Sequence, residues 1–137
     1  MKALVVFWSQ TGNTEGMAGG IAEGLKTNHT VDLVNINDAE PNVSEYDIVA
    51  LGCPAMGAEE LEEEIFAPFY EKVKGDLKGK KVVIFGSYGW GDGEWMRLWE
   101  ADIKETGANL FNGEGFAIQE DEDDIVNRCL EYGKTIK

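Results

Sequence analysis

The sequence predicts an α/β protein: a three-layer, doubly wound, five-stranded parallel sheet of strand order 2-1-3-4-5. Three observations carry that prediction. Apolar runs of strand length alternate along the chain with amphipathic segments of helical period. The first, third and fourth runs, residues 3–8, 46–52 and 82–86, are apolar at nearly every position, as in strands covered on both faces. A glycine-bearing loop follows each of these three, at the sheet edge where ligands of such folds sit.

Taken in order, residues 3–8 are a buried strand rich in Val, Phe and Trp. Met17, Ile21 and Leu25 then recur at helical spacing, which predicts a helix over 14–27 with Asn13 or Thr14 as cap. Gly16, Gly19, Gly20 and Gly24 each cost on the order of 1 kcal/mol there against Ala, and close packing on the sheet is one use for them. Residues 30–36 alternate and suit an edge strand. A polar connection around Pro41 leads to the strand at 46–52, which Gly52-Cys53-Pro54 ends. After a loop, Leu61, Ile65, Phe66, Phe69, Tyr70 and Val73 mark a helix running to about residue 74, with Pro68 near its first turn. The strand at 82–86 follows. The next helix, 94–106, places Trp95, Leu98, Trp99 and Ile103 on one face, and Gly107 stops it. The fifth strand covers 108–111 and resumes at 115–118. An acidic run at 119–124 opens a last helix with Ile125, Cys129, Tyr132 and Ile136 inward, its carboxylates favoured by the helix dipole.

A chain of 137 residues with 43% apolar content fits one domain, residues 1–137, with a real core. Acids outnumber bases 26 to 12, a formal charge of −14, which argues against nucleic acid and anionic membrane as partners. No apolar run reaches the length of a membrane span, and no leader-like pattern precedes the first strand, so a cytoplasmic location is expected. Cys53 and Cys129 have no metal-ligand or CxxC spacing and His29 is alone, so neither a metal site nor a disulfide is expected.

The loop Ser9-Gln10-Thr11-Gly12-Asn13-Thr14 lies between a strand and a helix start, where unpaired N–H groups and the helix dipole favour an anion. It adds three hydroxyls (Ser9, Thr11, Thr14) and the Asn13 amide, and no Lys or Arg. Either it holds a phosphate through neutral donors, or it is an ordinary capped turn. The second loop carries Met56 before Gly57, and the third carries Trp90 between Gly89 and Gly91. Each is either a packed residue or one side of a slot in which a thioether and an indole hold a planar ring. The loops lack the Gly-Lys-Ser/Thr of a nucleotide-hydrolysing loop. Aspartates do not cluster at the ends of the first and third strands, as a phospho-acceptor domain requires, and no Arg follows Cys53 before Arg97, as a cysteine phosphatase requires.

Ser9-Gln10-Thr11-Gly12-Asn13-Thr14-Glu15, Gly52-Cys53-Pro54-Ala55-Met56-Gly57-Ala58-Glu59-Glu60-Leu61 and Phe85-Gly86-Ser87-Tyr88-Gly89-Trp90-Gly91-Asp92-Gly93-Glu94-Trp95 resemble the three FMN-binding loops of the flavodoxins, most closely the short-chain type of clostridia and related anaerobes. The resemblance covers essentially the whole chain. It implies a flavodoxin-like fold and a low-potential one-electron carrier that binds FMN without a covalent bond, turns over no substrate of its own and cycles mainly between semiquinone and hydroquinone. Ser9, Thr11, Asn13 and Thr14, with backbone amides from Gln10 and Gly12 onward, would hold the phosphate. Ser87 would add a hydroxyl near the phosphate or ribityl chain. Met56, following Pro54 and Ala55, would lie against the inner ring face and Trp90 against the outer one. Glu59 would accept from the flavin N3–H, and backbone N–H groups of the stretch after Tyr88, Gly89 to Gly91, would reach the pyrimidine carbonyl. A redox-linked peptide flip at Gly57-Ala58 would answer protonation at N5. Trp8 would sit near the phosphate loop or the ring edge, or be purely structural. Acidic residues Glu59, Glu60, Glu62, Glu63, Glu64, Asp92 and Glu94 suggest a rim that docks reductases and oxidoreductases through their basic surfaces, the carrier itself being a monomer. A flavin-dependent quinone reductase is the rival reading; no insertion that would form its substrate pocket is present.

Overall fold

Why one sheet forms here follows from where the apolar runs lie. A computed structural model describes residues 2–9, 12–56, 61–89, 93–119 and 122–137. Strands β1 (Lys2–Phe7), β2 (Thr30–Asn35), β3 (Ile48–Gly52), β4 (Lys81–Tyr88), β5 (Asn109–Leu110) and β6 (Phe116–Gln119) pair in parallel in the order β2-β1-β3-β4-β5, with β6 also on β4. β5 and β6 occupy one edge position, interrupted by the turn Phe111–Gly113, in which Asn112 (φ 59°) and Gly113 (φ 73°) are left-handed and carry the chain off the sheet. The five-stranded order 2-1-3-4-5 therefore stands, with its fifth strand broken where the sequence expects it to resume.

Helices α1 (Asn13–Leu25), α2 (Phe66–Val73), α3 (Glu94–Glu105) and α4 (Ile125–Lys134) cover both faces. Alternation along the strands sorts the core into two halves. Leu4, Val6, Val49, Leu51, Val82 and Ile84 meet Phe66, Phe69, Trp99 and Ile103. Ala3, Val5, Phe7, Ile48, Ala50, Val83 and Phe85 meet Met17, Ile21, Leu25 and Cys129 on the other face. β1 is buried from Ala3 to Phe7 and β3 throughout, which the continuous apolar runs require, whereas β2 is an exposed edge.

Three local expectations are corrected. The cap of α1 is Gly12, left-handed at φ 96° and without a side-chain cap, rather than Asn13 or Thr14. Two glycines of α1 serve helix packing, not sheet packing: a Cβ on Gly20 would stand 2.5 Å from the Val126 carbonyl oxygen, and one on Gly24 would stand 2.3 Å from that of Leu130, whereas Gly19 has nothing within 4 Å. Gly133 of α4 meets the Ile21 carbonyl in the same way, so the two backbones approach as closely as glycine allows. On α3, Met96 is buried and Leu98 is 62% exposed. The buried arc centres on Trp99 and Ile103, and at roughly 100° per residue Met96 falls inside it and Leu98 outside.

Candidate functional site

The register places the carboxyl ends of the central strands side by side, with Phe7 opposite Gly52 and Gly52 opposite Phe85. The three loops therefore leave from adjacent points on one edge.

In the first loop the Ser9 hydroxyl accepts the Gly12 N–H at 3.1 Å, and the Gly16 N–H closes onto the Gly12 carbonyl at 2.9 Å. Because Gly12 has no side chain, it offers no acceptor to the first N–H groups of α1. Those groups and the positive end of the helix face the loop, which is the arrangement that takes an anion. Thr14 and Ser87 are both 1% exposed, and their hydroxyl oxygens stand 3.4 Å apart. The first and third loops thus meet through two buried hydroxyls. Asn13 is half-buried beside them.

The second loop is an extension of β3. The Cys53 N–H donates to the Phe85 carbonyl at 3.1 Å and the Ala55 N–H to that of Ser87 at 3.0 Å, while the Trp95 indole N–H donates to the Cys53 carbonyl at 3.3 Å. β4 lies this close because position 86 is glycine, where a Cβ would stand 2.1 Å from the Cys53 carbonyl oxygen. Pro54, Ala55 and Met56 are half-buried at this end of the site. Burial, the largest influence, pushes the Cys53 thiol up to about 12, although it accepts the Glu62 N–H at 3.3 Å. A thiol so protonated is no nucleophile at neutral pH. In the third loop the Tyr88 ring lies 5.5 Å from that of Trp95, and Gly89 is exposed. Trp8 is half-buried, packed against the α2 and α3 half of the core.

The structure brings Ser9, Gly12, Asn13, Thr14, Pro54, Ala55, Met56, Ser87, Tyr88 and Gly89 to one edge. Gln10, Thr11, Gly57, Ala58, Glu59, Trp90 and Gly91 lie outside the described residues, as do Glu60 and Asp92. Within the acidic rim, Glu63, Glu64 and Glu94 are exposed, but Glu62 is 6% exposed and belongs to the interior. Its carboxylate accepts the N–H groups of Glu64, Ile65 and Phe66, and so supplies α2 with the cap that Ile65 lacks. Sequence reading overlooks this role; the available signal is an acid four residues before the first helical position. Among the described residues no group of three His, Cys, Asp or Glu is arranged for a metal, and no helix is long and apolar enough to cross a membrane.

The family model described as flavodoxin matches residues 5–133. A flavodoxin of Megasphaera elsdenii is 44% identical over 132 residues, covering 95% of this chain and 94% of that one. A flavodoxin of Clostridium beijerinckii is 43% identical over 136 residues, 96% of each chain. The solution structure of two-electron reduced M. elsdenii flavodoxin superposes with a TM-score of 0.84 at 43% identity over 96% of each chain. Oxidised flavodoxin 1 of Bacillus cereus gives a TM-score of 0.81 at 30% identity over 97% of this chain and 95% of that one.

Proposed function

The chain belongs to the flavodoxin family of FMN-binding electron carriers, and from that premise we propose that it is a low-potential, one-electron carrier whose three loops hold the flavin and which turns over no substrate itself. The observation that carries the reading is the buried Thr14–Ser87 hydroxyl pair beside the uncapped start of α1. The donor chemistry fits FMN: a phosphate needs several N–H and O–H donors, and the bond between the two buried hydroxyls uses only one of their two O–H groups, leaving the other to donate. Bound FMN supplies reversible one-electron chemistry.

The chain's own part is binding, orientation and electrostatics. Ser9, Asn13, Thr14 and Ser87 take the phosphate end with the N–H groups of Gly12 and of the first turn of α1. Pro54, Ala55 and Met56 would receive the ring on its inner side, and the Gly89 N–H beyond Tyr88 would reach its pyrimidine carbonyl. The motif alone extends this set to Gln10, Thr11, Gly57, Ala58, Glu59, Trp90 and Gly91, with Gly57-Ala58 as the peptide that turns on reduction. Residues 9–15, 53–61 and 87–94 contain no Lys or Arg, and the chain carries −14. Added negative charge on the ring therefore finds no cation in these loops, which favours a strongly reducing couple. The same charge suits partners with basic docking surfaces and argues against nucleic acid and anionic membranes. We place it in the cytoplasm as a single domain, residues 1–137, acting as a monomer.

The test is a fluorescence-quenching titration of the apoprotein with FMN and with riboflavin, which lacks the phosphate. Ser87→Ala should weaken FMN by about 10-fold, the worth of one buried hydrogen bond to a charged group, and leave riboflavin unchanged. Equal losses for both flavins would refute the phosphate assignment. Steady NADPH-dependent turnover of a quinone by the purified protein alone would refute the carrier reading.

A further inference from the structure

The tie between Glu62 and the end of β3 is stronger than a helix cap requires. Glu62 is bonded at every polar position: its N–H donates to the Cys53 sulfur at 3.3 Å, and its carbonyl accepts the Ala67 N–H at 2.9 Å. Its carboxylate accepts the Glu64 N–H at 2.7 Å, the Ile65 N–H at 2.9 and 3.2 Å, and the Phe66 N–H at 2.7 Å. Pro68, the next residue of α2, has no N–H to satisfy, so the start of the helix is fully accounted for. A short polar side chain at Ile65 would cap α2 without burying a carboxylate, an expensive act that backbone donors must offset. What Glu62 adds is location. It fixes the foot of the segment leaving β3 against Cys53, whose own N–H and carbonyl are held by Phe85 and Trp95. Met56 belongs to that segment.

We propose that Glu62 is a positioning residue for the flavin ring: by holding its own place against the Cys53 sulfur it fixes residues 53–56, where the chain leaves β3, so that this side of the ring site is set before the ring arrives. The proposal rests on the FMN-carrier reading above. Preorganisation of this kind appears as affinity, because the ordering cost is met during folding instead of on binding.

The experiment measures FMN and riboflavin dissociation constants and the urea midpoint of the apoprotein for the wild type, Glu62→Gln and Cys53→Ala. Glu62→Gln should raise both dissociation constants by the same factor, about 10-fold. Cys53→Ala, which leaves the carboxylate cap in place, should raise both by about 3-fold, and it decides the question if Glu62→Gln does not refold. A lower urea midpoint with both flavin affinities kept within about twofold would overturn the proposal, since a mere cap predicts that result. A loss confined to FMN would overturn it too, by placing the effect at the phosphate. Wild-type apoprotein that takes up neither flavin overturns the carrier reading itself; normal wild-type binding with unaffected variants overturns the positioning role alone.

Discussion

Alanine placed at two glycines of the same helix should move stability in opposite directions. In α1, Gly19 has nothing within 4 Å of where a Cβ would stand, whereas a Cβ on Gly24 would lie 2.3 Å from the Leu130 carbonyl oxygen and 2.7 Å from both the Gly133 Cα and the Lys134 nitrogen. Helix propensity alone favours Ala over Gly by about 1 kcal/mol at either site. At Gly19 nothing opposes that gain, so Gly19→Ala should stabilise by about 1 kcal/mol. At Gly24 the new methyl meets backbone, which cannot rotate away. The two helices must separate by about 1 Å to restore a normal contact, and overpacking of this kind costs about 1–3 kcal/mol and more against rigid atoms. The net for Gly24→Ala is a loss of roughly 1–2 kcal/mol, and the two variants should differ by about 2–3 kcal/mol. Urea unfolding followed by far-UV circular dichroism measures this directly, with midpoints about 1 M or more apart at an ordinary slope. Equal midpoints, or a Gly24 variant more stable than the wild type, would refute the close α1–α4 approach.

On α3, Met96→Ala should cost about 2–5 kcal/mol and Leu98→Ala less than about 0.5 kcal/mol in the same assay, because only Met96 is buried. Burial pushes the thiols of Cys53 and Cys129 from 9.0 up to about 12. Both stay protonated in the folded and unfolded chains below pH 9, and there their contribution is whole; between about 9 and 12 only the unfolded chain ionises, and stability falls by up to about 1.4 kcal/mol per pH unit for each thiol. A Cys53→Ala, Cys129→Ala variant should therefore lose less stability than the wild type between pH 9 and 11, the remaining slope coming from buried tyrosines such as Tyr46, also pushed up to about 12. Electron transfer to a basic partner, followed by stopped flow, should slow by about 10-fold or more between 20 and 300 mM salt; a rate independent of salt would remove the docking role from the acidic surface.

Strand identity, sheet order and the three loops were legible in the residues, because each depends on short-range pattern. Continuous apolar runs mark strands covered on both faces, and right-handed crossovers leave few orders for them. Neutral Ser, Thr and Asn donors at a strand-to-helix turn are legible in the same way, and their role as a phosphate site is the proposal made above. The glycines of α1 were visible but not their partner, since nothing local says whether a bare backbone will meet a sheet or the carbonyls of a helix more than 100 positions later. Leu98 and Met96 exchanged places because a helical face is defined only by what packs against it. Glu62 looked like one more acid in an acidic stretch; its three N–H partners lie only two to four residues further on, but its burial comes with the docking of α2 beside the end of β3, where its own N–H meets the Cys53 sulfur. The Thr14–Ser87 contact joins residues 73 positions apart. Residue types say which atoms are able to hold a phosphate. Which of them meet is set by how the elements pack, because burial and hydrogen-bond partnership belong to pairs of elements and not to either element alone.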